Sequence, residues 1–530
     1  MRRALLLVVA LATAAGCGRK RQYPPPERYV PADAAVAVSV PALGQAARQA
    51  GALYRTVSQA PPAVQLADAY AAIRAQLGFD PLDPRGLEQA GVDPNGSAAA
   101  ALGGGRTPLL VLPILDLAKF DSTAARLARD RMGAAERLTT KSKGLEVVIF
   151  RRDAPSGAAL AYAAIGPHAL LAAGASGPDA IASSASLPEE RSLAGSPLWA
   201  RARAAIGDGY LATAMAPPGS PSVAGLSLLR DGGALGVRAS ATSLGLRLAA
   251  LLTPEREAFW KGIAAQGGPP PPAEAGRLPA GAALVARWAG DPSGAYRRAA
   301  PYLPPDFARS LAAVRVDPER ELVAALAPGA AIALSVAPTF TMAEFSSPRL
   351  DVRRTDPFRL VELEAILPLR DPAAIPAFLG RLEKAGRRLG IQVSPSGASG
   401  YTVSWGKARL GLSLAGDRLL VAGPAERLAA LGARPAGAGY EASSEAAGAA
   451  LASGMGGVVL DVEHLSRAIE ALPQEAYGTG PSAVVMRSLV SRYLDPAAAI
   501  SSVSLRLDLV PGAALVDLEV AGRSTPPAKP

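Results

Sequence analysis

The 530-residue chain has one cysteine, Cys17, and two histidines, His168 and His464. A lone thiol closes no intramolecular disulfide, so packing must hold the fold, and cysteine-pair zinc or redox motifs are excluded. Two imidazoles are too few for a His-rich metal site, and no zinc-protease or EF-hand pattern occurs, so neither metal nor cofactor is expected. Aromatic residues make up only 5%, which leaves few stacking platforms for nucleic-acid bases. The basic residues are mostly arginine interspersed with acids, so nucleic acid is not an expected partner. No apolar run reaches the roughly 20 residues of a membrane-spanning helix. What remains is 49% hydrophobic and 19% charged, dominated by Ala, Leu and Val. That composition describes a globular chain of two or three domains.

The N-terminus carries Met1-Arg2-Arg3, the apolar stretch Ala4–Ala15, and then Ala14-Ala15-Gly16-Cys17. A positive start, a short apolar segment and small residues at the cut are the parts of a secretory leader. With Cys17 directly behind the cut, the leader resembles a bacterial lipoprotein signal, although Ala14 stands where that pattern usually has leucine. The resemblance implies that Cys17 becomes the first mature residue, bearing a thioether-linked diacylglycerol and an amide-linked acyl group. Two or three acyl chains, at about 0.8 kcal/mol per buried methylene, hold a protein on its membrane. By the same resemblance, Gly18 favours the outer membrane. The expected location is therefore the bacterial cell envelope, lipid-anchored. Cleavage after Gly16 removes Arg2 and Arg3 and lowers the formal charge from +10 to +8. Arg19-Lys20-Arg21 would meet anionic headgroups at roughly 1 kcal/mol per charge. The proline-rich Tyr23–Glu27 reads as a spacer, and the dozen residues after Cys17 would reach about 40 Å.

Four segments recur in order. Pro31-Ala32-Asp33-Ala34-Ala35 returns as Pro279-Ala280-Gly281-Ala282-Ala283, and Leu112-Pro113…Asp116…Phe120 as Leu367-Pro368…Asp371…Ile375. Arg126-Leu127 returns as Arg381-Leu382, and Gly166–Gly174 matches Ala415–Gly423 with His168 falling on Asp417. A period near 250 residues is a duplicated domain rather than a solenoid. The organisation expected is a signal peptide (1–16), a lipidated tether (17–30), a first domain (31–265), a proline-rich linker (266–277), a second domain (278–522) and a disordered tail (523–530).

Within each half, period-2 segments such as Ala34–Val40, Leu109–Leu115 and Ser502–Val510 predict strands. Ala42–Thr56, Ala63–Leu77 and the stripe Ile375, Phe378, Leu382, Ala385, Leu389 predict helices. Asp371 and Pro372 suit an N-cap and first helical position. Short connections between strands require antiparallel pairing, so the fold class expected is α+β, two homologous domains each with a mainly antiparallel sheet packed with helices. Ser504, Arg506 and Asp508 alternate with Val503, Leu505, Leu507 and Leu509, which suggests one wet face. The opening Pro31–Ala34 and the junction Leu112–Asp116 resemble an uncharacterised bacterial lipoprotein family, which implies this fold and supplies no chemistry.

The remaining candidates are few. His168 reads as a turn residue, and Asp461-Val462-Glu463-His464 as a polar helix start with an incomplete ligand set. Glu362 and Glu364 read as solvated neighbours on a strand. Gly103-Gly104-Gly105-Arg106-Thr107 lacks the Lys-Ser/Thr of a phosphate loop, and Gly174-Ala175-Ser176-Gly177-Pro178 lacks the last glycine of a nucleophile elbow. The insertion Thr339–Phe358 puts Phe340, Met342, Phe345 and Phe358 among Arg349, Arg353 and Arg354. It is either a contact surface or extra core cover. These readings favour a non-enzymatic, membrane-anchored binding or structural module for a protein or polymer partner. The alternatives are a carrier or chaperone for an apolar ligand, lipid or lipidated client, and behind it a hydrolase with an unrecognised site.

Overall fold

The computed structural model of the chain describes residues 24–58, 64–102, 107–152, 158–221, 227–264, 272–300, 317–345, 355–387, 390–397, 399–494 and 499–523. Cys17, residues 103–106, Arg349, Arg353, Arg354 and the residues beyond Arg523 lie outside the described residues. Two compact units emerge, one of residues 1–43 and 87–199, the other of 44–86 and 200–530. Strands from residue 212 onward, assigned by sequence to the first domain, thus belong to the second unit.

The first unit holds β1 (Val36–Val40), β2 (Ala98–Leu102), β3 (Leu109–Pro113), β4 (Glu136–Ser142), β5 (Leu145–Arg151), β6 (Ala158–Ile165) and β7 (His168–Ala173). They pair antiparallel in the order β1-β2-β3-β7-β6-β5-β4. The helix Leu117–Met132 starts where the Asp116 carboxylate accepts the amides of Ala118 and Lys119. It buries Phe120, Ala124 and Ala128 at i, i+4 and i+8, and ends at Gly133, whose φ of 65° suits a residue without Cβ.

The second unit holds β8 (Ala212–Ala216), β9 (Gly233–Ala239), β10 (Ser243–Leu251), β11 (Leu284–Trp288), β12 (Ala330–Val336), β13 (Val361–Pro368), β14 (Ile391–Pro395), β15 (Gly400–Trp405), β16 (Ala408–Ala415), β17 (Arg418–Gly423), β18 (Gly456–Asp461), β19 (Ile500–Val510) and β20 (Ala513–Gly522). Its order, again antiparallel, is β8-β9-β10-β20-β19-β18-β11-β12-β13-β17-β16-β15-β14. The fold is α+β, as the strand spacing in the sequence indicates.

The run β11-β12-β13-β17-β16-β15-β14 repeats the order of the first unit. Pro113 opposes His168 and Pro368 opposes Arg418. Hydrogen bonds repeat too, with Ile114 N donating to Pro167 O and Leu369 N to Asp417 O, both at 2.7 Å. The ladder therefore shifts the sequence match by one residue. Arg418, not Asp417, occupies the place of His168, because Gly166 and Gly416 take the left-handed turn position in their hairpins.

Both proline-rich stretches end in 3-10 turns, Pro26–Tyr29 and Pro272–Arg277. Neither is a free spacer over these residues. Tyr29, Val30, Glu274 and Leu278 are buried, and Arg418 pairs with Glu274 at 2.7 Å.

Candidate functional site: an open aliphatic sheet face

Directly opposed residues on neighbouring strands share a face of the sheet. Register aligns Val237, Leu246, Leu518, Leu505, Val458, Ala286 and Ile332 in one row across seven strands of the second unit. Two residues along, a second row reads Ala239, Leu244, Val520, Val503, Leu460, Leu284 and Leu334. On the other side lie Leu235, Leu248, Val516, Leu507, Gly456, Trp288 and Ala330. No charged side chain interrupts the three rows. The centre is open to solvent: Leu505 and Val458 are each 40% exposed and Ile332 37%. At strand spacings of about 4.8 Å and two-residue steps of about 7 Å, this face measures roughly 30 by 15 Å. Only its centre is exposed, the other row residues being partly or fully buried, and contiguous exposed aliphatic side chains of this kind often mark an interaction surface.

The opposite face carries the polar residues, and it is the covered one. Ser504 is 4% exposed. The helix Glu445–Ala452 lies over β18 and β19, burying Ala447, Ala450 and Leu451. It comes so close that a Cβ on Gly457 would stand 2.0 Å from the Ala450 carbonyl. On this face Arg247 grips Asp517 through Nε at 2.6 Å and Nη2 at 3.0 Å, while Arg506 Nη2 reaches the same carboxylate at 2.6 Å. Burial pushes the Asp517 carboxyl up, but these hydrogen bonds outweigh it and hold the group below the usual carboxylate range. Arg238 pairs with Glu519. Arg287 donates to the Leu451 and Ser453 carbonyls at 2.8 and 3.3 Å, at the helix end whose dipole favours a cation. The strand alternation in the sequence thus identifies two faces correctly and assigns water to the wrong one.

At the border of the aliphatic face, Trp260 and Leu228 pack with Leu248 and Leu509. Trp260 belongs to the helix Pro254–Ala264 and lines a cleft of about 460 Å³ with Leu228, Phe259, Glu255, Arg256 and Arg298. The Arg298 guanidinium stacks over the Phe259 and Trp260 rings.

The residues flagged in the sequence are dispersed. Phe340 and Met342 pack against Leu472, Ala476, Tyr477 and Ala483, and the Phe358 ring lies against the Gly423 backbone. These three are half-buried packing residues of the insertion; Phe345 ends the short helix Met342–Phe345. Glu362 and Glu364 are not solvated. The Glu364 side chain is fully buried between Arg427 (2.9 Å) and Arg434 (2.8 Å), and Glu362 lies 3.3 Å from Arg427. Burial raises the Glu362 carboxyl, opposed by Arg427 and reinforced by Glu364.

Asp461 caps the helix Val462–Glu470, accepting the His464 amide at 3.0 Å and the Tyr440 hydroxyl at 3.1 Å. His168, buried, donates from Nε2 to the Pro24 carbonyl at 3.1 Å, and burial lowers its pKa. Ser176 precedes the helix Gly177–Ala185 without capping it. Among the described residues no three His, Cys, Asp or Glu side chains converge as a metal site, and no helix is long and apolar enough to cross a membrane. The aliphatic rows escaped the sequence reading, although the unbroken Leu/Val alternation of β19 and β20 was their visible signal.

No family model and no curated protein matches the chain. Solved structures with partial similarity include crystal form IV of TP0453, at 13% identity and TM-score 0.26, covering 47% of this chain and 89% of that one. Crystal form III of TP0453 gives 10% identity and TM-score 0.25, covering 47% and 90%. A likeness this distant carries no functional information.

Proposed function

We propose that the protein is a non-enzymatic envelope lipoprotein, anchored through Cys17, whose open sheet face in the second unit binds the acyl chains of an amphiphile. The exposed row through Leu505, Val458 and Ile332 carries this reading. Protein-binding surfaces concentrate Trp, Tyr and Arg anchors at their centre. This face has only Leu, Val, Ile and Ala in its middle row, which offers area without directional contacts and suits hydrocarbon tails. One leaflet of bilayer hydrocarbon is about 15 Å deep, close to the breadth of the face. The cleft at Trp260 and Arg298 adds aromatic and cationic groups at its border, where a polar head would lie.

The test is native mass spectrometry and fluorescent fatty-acid titration on purified protein, comparing the natural chain with Leu505→Asp/Val458→Asp. The two positions face each other across β18 and β19, so the paired carboxylates repel and the change should cost about 2 kcal/mol, and thermal unfolding checks that the variant is folded. Bound lipid and titratable affinity should both be lost. Undiminished lipid binding in a folded variant would sink the reading, as would capture of a protein that needs the same two residues while no lipid binds.

A further inference from the structure

The N-terminal segment is seated on the first unit from Pro24 onward. Its carbonyl receives the His168 Nε2 hydrogen bond, the Glu27 carboxylate accepts the Ser39 hydroxyl at 2.5 Å, and the Val30 carbonyl accepts the Leu193 amide at 2.7 Å. Only residues 18–23 separate Pro24 from Cys17. Fully extended, that stretch spans about 25 Å, well short of the reach expected from the sequence alone. An acylated Cys17 therefore keeps one particular end of the first unit near the bilayer.

That end bears two exposed leucines. His168 opposes Pro113, and just beyond Pro113 stand Leu115, 56% exposed, and Leu117, 49% exposed, on either side of the capping Asp116. The second unit builds the same junction without them. Arg370 N donates to Ala325 O as Leu115 N donates to Gly91 O. Yet Arg370 pairs with Asp291 at 3.0 Å, and Pro372 stands in the place of Leu117. The backbone arrangement therefore does not call for leucine. Bare leucines occur at the junction beside the anchored N-terminus, and a salt-bridged arginine replaces one at the junction far from it in sequence.

We infer that Leu115 and Leu117 form a membrane-contacting edge, which rests on the acylation of Cys17 proposed above. The two side chains enter the headgroup region of the bilayer, while the exposed Lys119 beside them meets anionic lipid phosphates. The lipid anchor then fixes orientation as well as location.

The test uses the full-length acylated protein in phosphatidylethanolamine/phosphatidylglycerol vesicles, with an environment-sensitive fluorophore on Ala118→Cys or, at the matching exposed position of the second junction, Ala373→Cys. With Cys17 in thioether linkage, each variant has one free thiol. Quenching by bilayer-embedded spin-labelled lipid should be several-fold stronger at 118 than at 373. Adding Leu115→Arg/Leu117→Pro, the residues of the second junction, should abolish the excess without releasing the protein from the vesicles. Equal quenching at both sites, or quenching at 118 that survives the double change, overturns the inference. Mass spectrometry of the mature N-terminus reports separately on Cys17; an unacylated residue there removes the anchor itself.

Discussion

The two copies of the seven-strand order share a ladder and fill the same interior place with opposite chemistry. Leu109 opposes Ala172 in the first unit, and Glu364 opposes Ala422 in the second. Four residues past the end of β7 comes Gly177 and, seven further, Ser184; the same steps beyond β17 reach Arg427 and Arg434. In the second unit the three positions make a buried arginine–glutamate–arginine cluster. In the first they are apolar or small, and a cleft of about 580 Å³ stands there, lined by Leu109, Ser183, Ser184, Asp179 and Lys143 among others. Strand order is thus held by backbone hydrogen bonds and turn glycines common to both, and leaves the side chains between sheet and helix free to diverge. A buried carboxylate, once present, requires its guanidinium partners.

The largest effect should come from breaking that cluster. Glu364→Leu installs the residue of the first unit but leaves Arg427 and the mostly buried Arg434 facing each other, at a cost of about 3 kcal/mol. Converting all three positions, with Arg427→Gly and Arg434→Ser, in a chain that also carries Glu362→Gln so that no carboxylate loses Arg427 as its partner, removes the uncompensated charges and should cost less than the single change despite the cavity it opens. Urea unfolding of both variants decides the matter. A triple variant less stable than Glu364→Leu would show that packing, not charge pairing, is what the cluster provides.

A second contrast lies within the central sheet. The hairpins β9-β10 and β19-β20 meet through like positions: Arg247 opposes Gly236 in one, Asp517 opposes Arg506 in the other, and Arg247 opposes Asp517 across the junction. Identical residues there would repel or leave a void, whereas this pair attracts. Asp517→Asn should cost about 2 kcal/mol near neutral pH. The folded pKa of Asp517 lies below its unfolded value, so its stabilisation is complete above about pH 5 and is lost as pH falls through the unfolded and then the folded pKa. Acid titration of thermal stability should therefore show a drop in the natural chain that is smaller in Asp517→Asn. Parallel curves would remove Asp517 from the account.

Much of the fold was legible because its signals are local. The helices Leu43–Val57 and Val64–Leu77 lie within a residue of their predicted starts, and the Leu112/Leu367 match falls on equivalent ladder positions. The strand β4, with the polar run Glu136–Ser142, has no apolar alternation to declare it, and β14 offers only the short alternation of Ile391 and Val393 before Pro395. The candidate site was half legible. Alternation in β19 separates Leu505 from Ser504 and Arg506, but which side a helix covers depends on the alanines of Glu445–Ala452, more than fifty residues away. The same long-range dependence hid Glu364, whose partners lie 63 and 70 residues downstream.

The finest contrast concerns the caps of the repeated strand-to-helix junction. Asp116 accepts two amides, from Ala118 at 3.0 Å and Lys119 at 3.1 Å, and the helix begins immediately at Leu117. Asp371 accepts that of Ala373 at 3.0 Å, and the regular helix begins only at Ala374, after a turn in which Ala374 N donates to Asp371 O and Ile375 N to Pro372 O, so Asp371 and Pro372 are not the N-cap and first helical position that the sequence suggests. Asp116→Ala should therefore cost about 1 kcal/mol and Asp371→Ala about half of that. Hydrogen exchange at the first helical turns is the sensitive readout, since amides 118 and 119 lose an acceptor together while at the second junction only 373 does. Equal acceleration at both helix starts would mean that the shared backbone frame, rather than the capping carboxylate, sets where these helices begin.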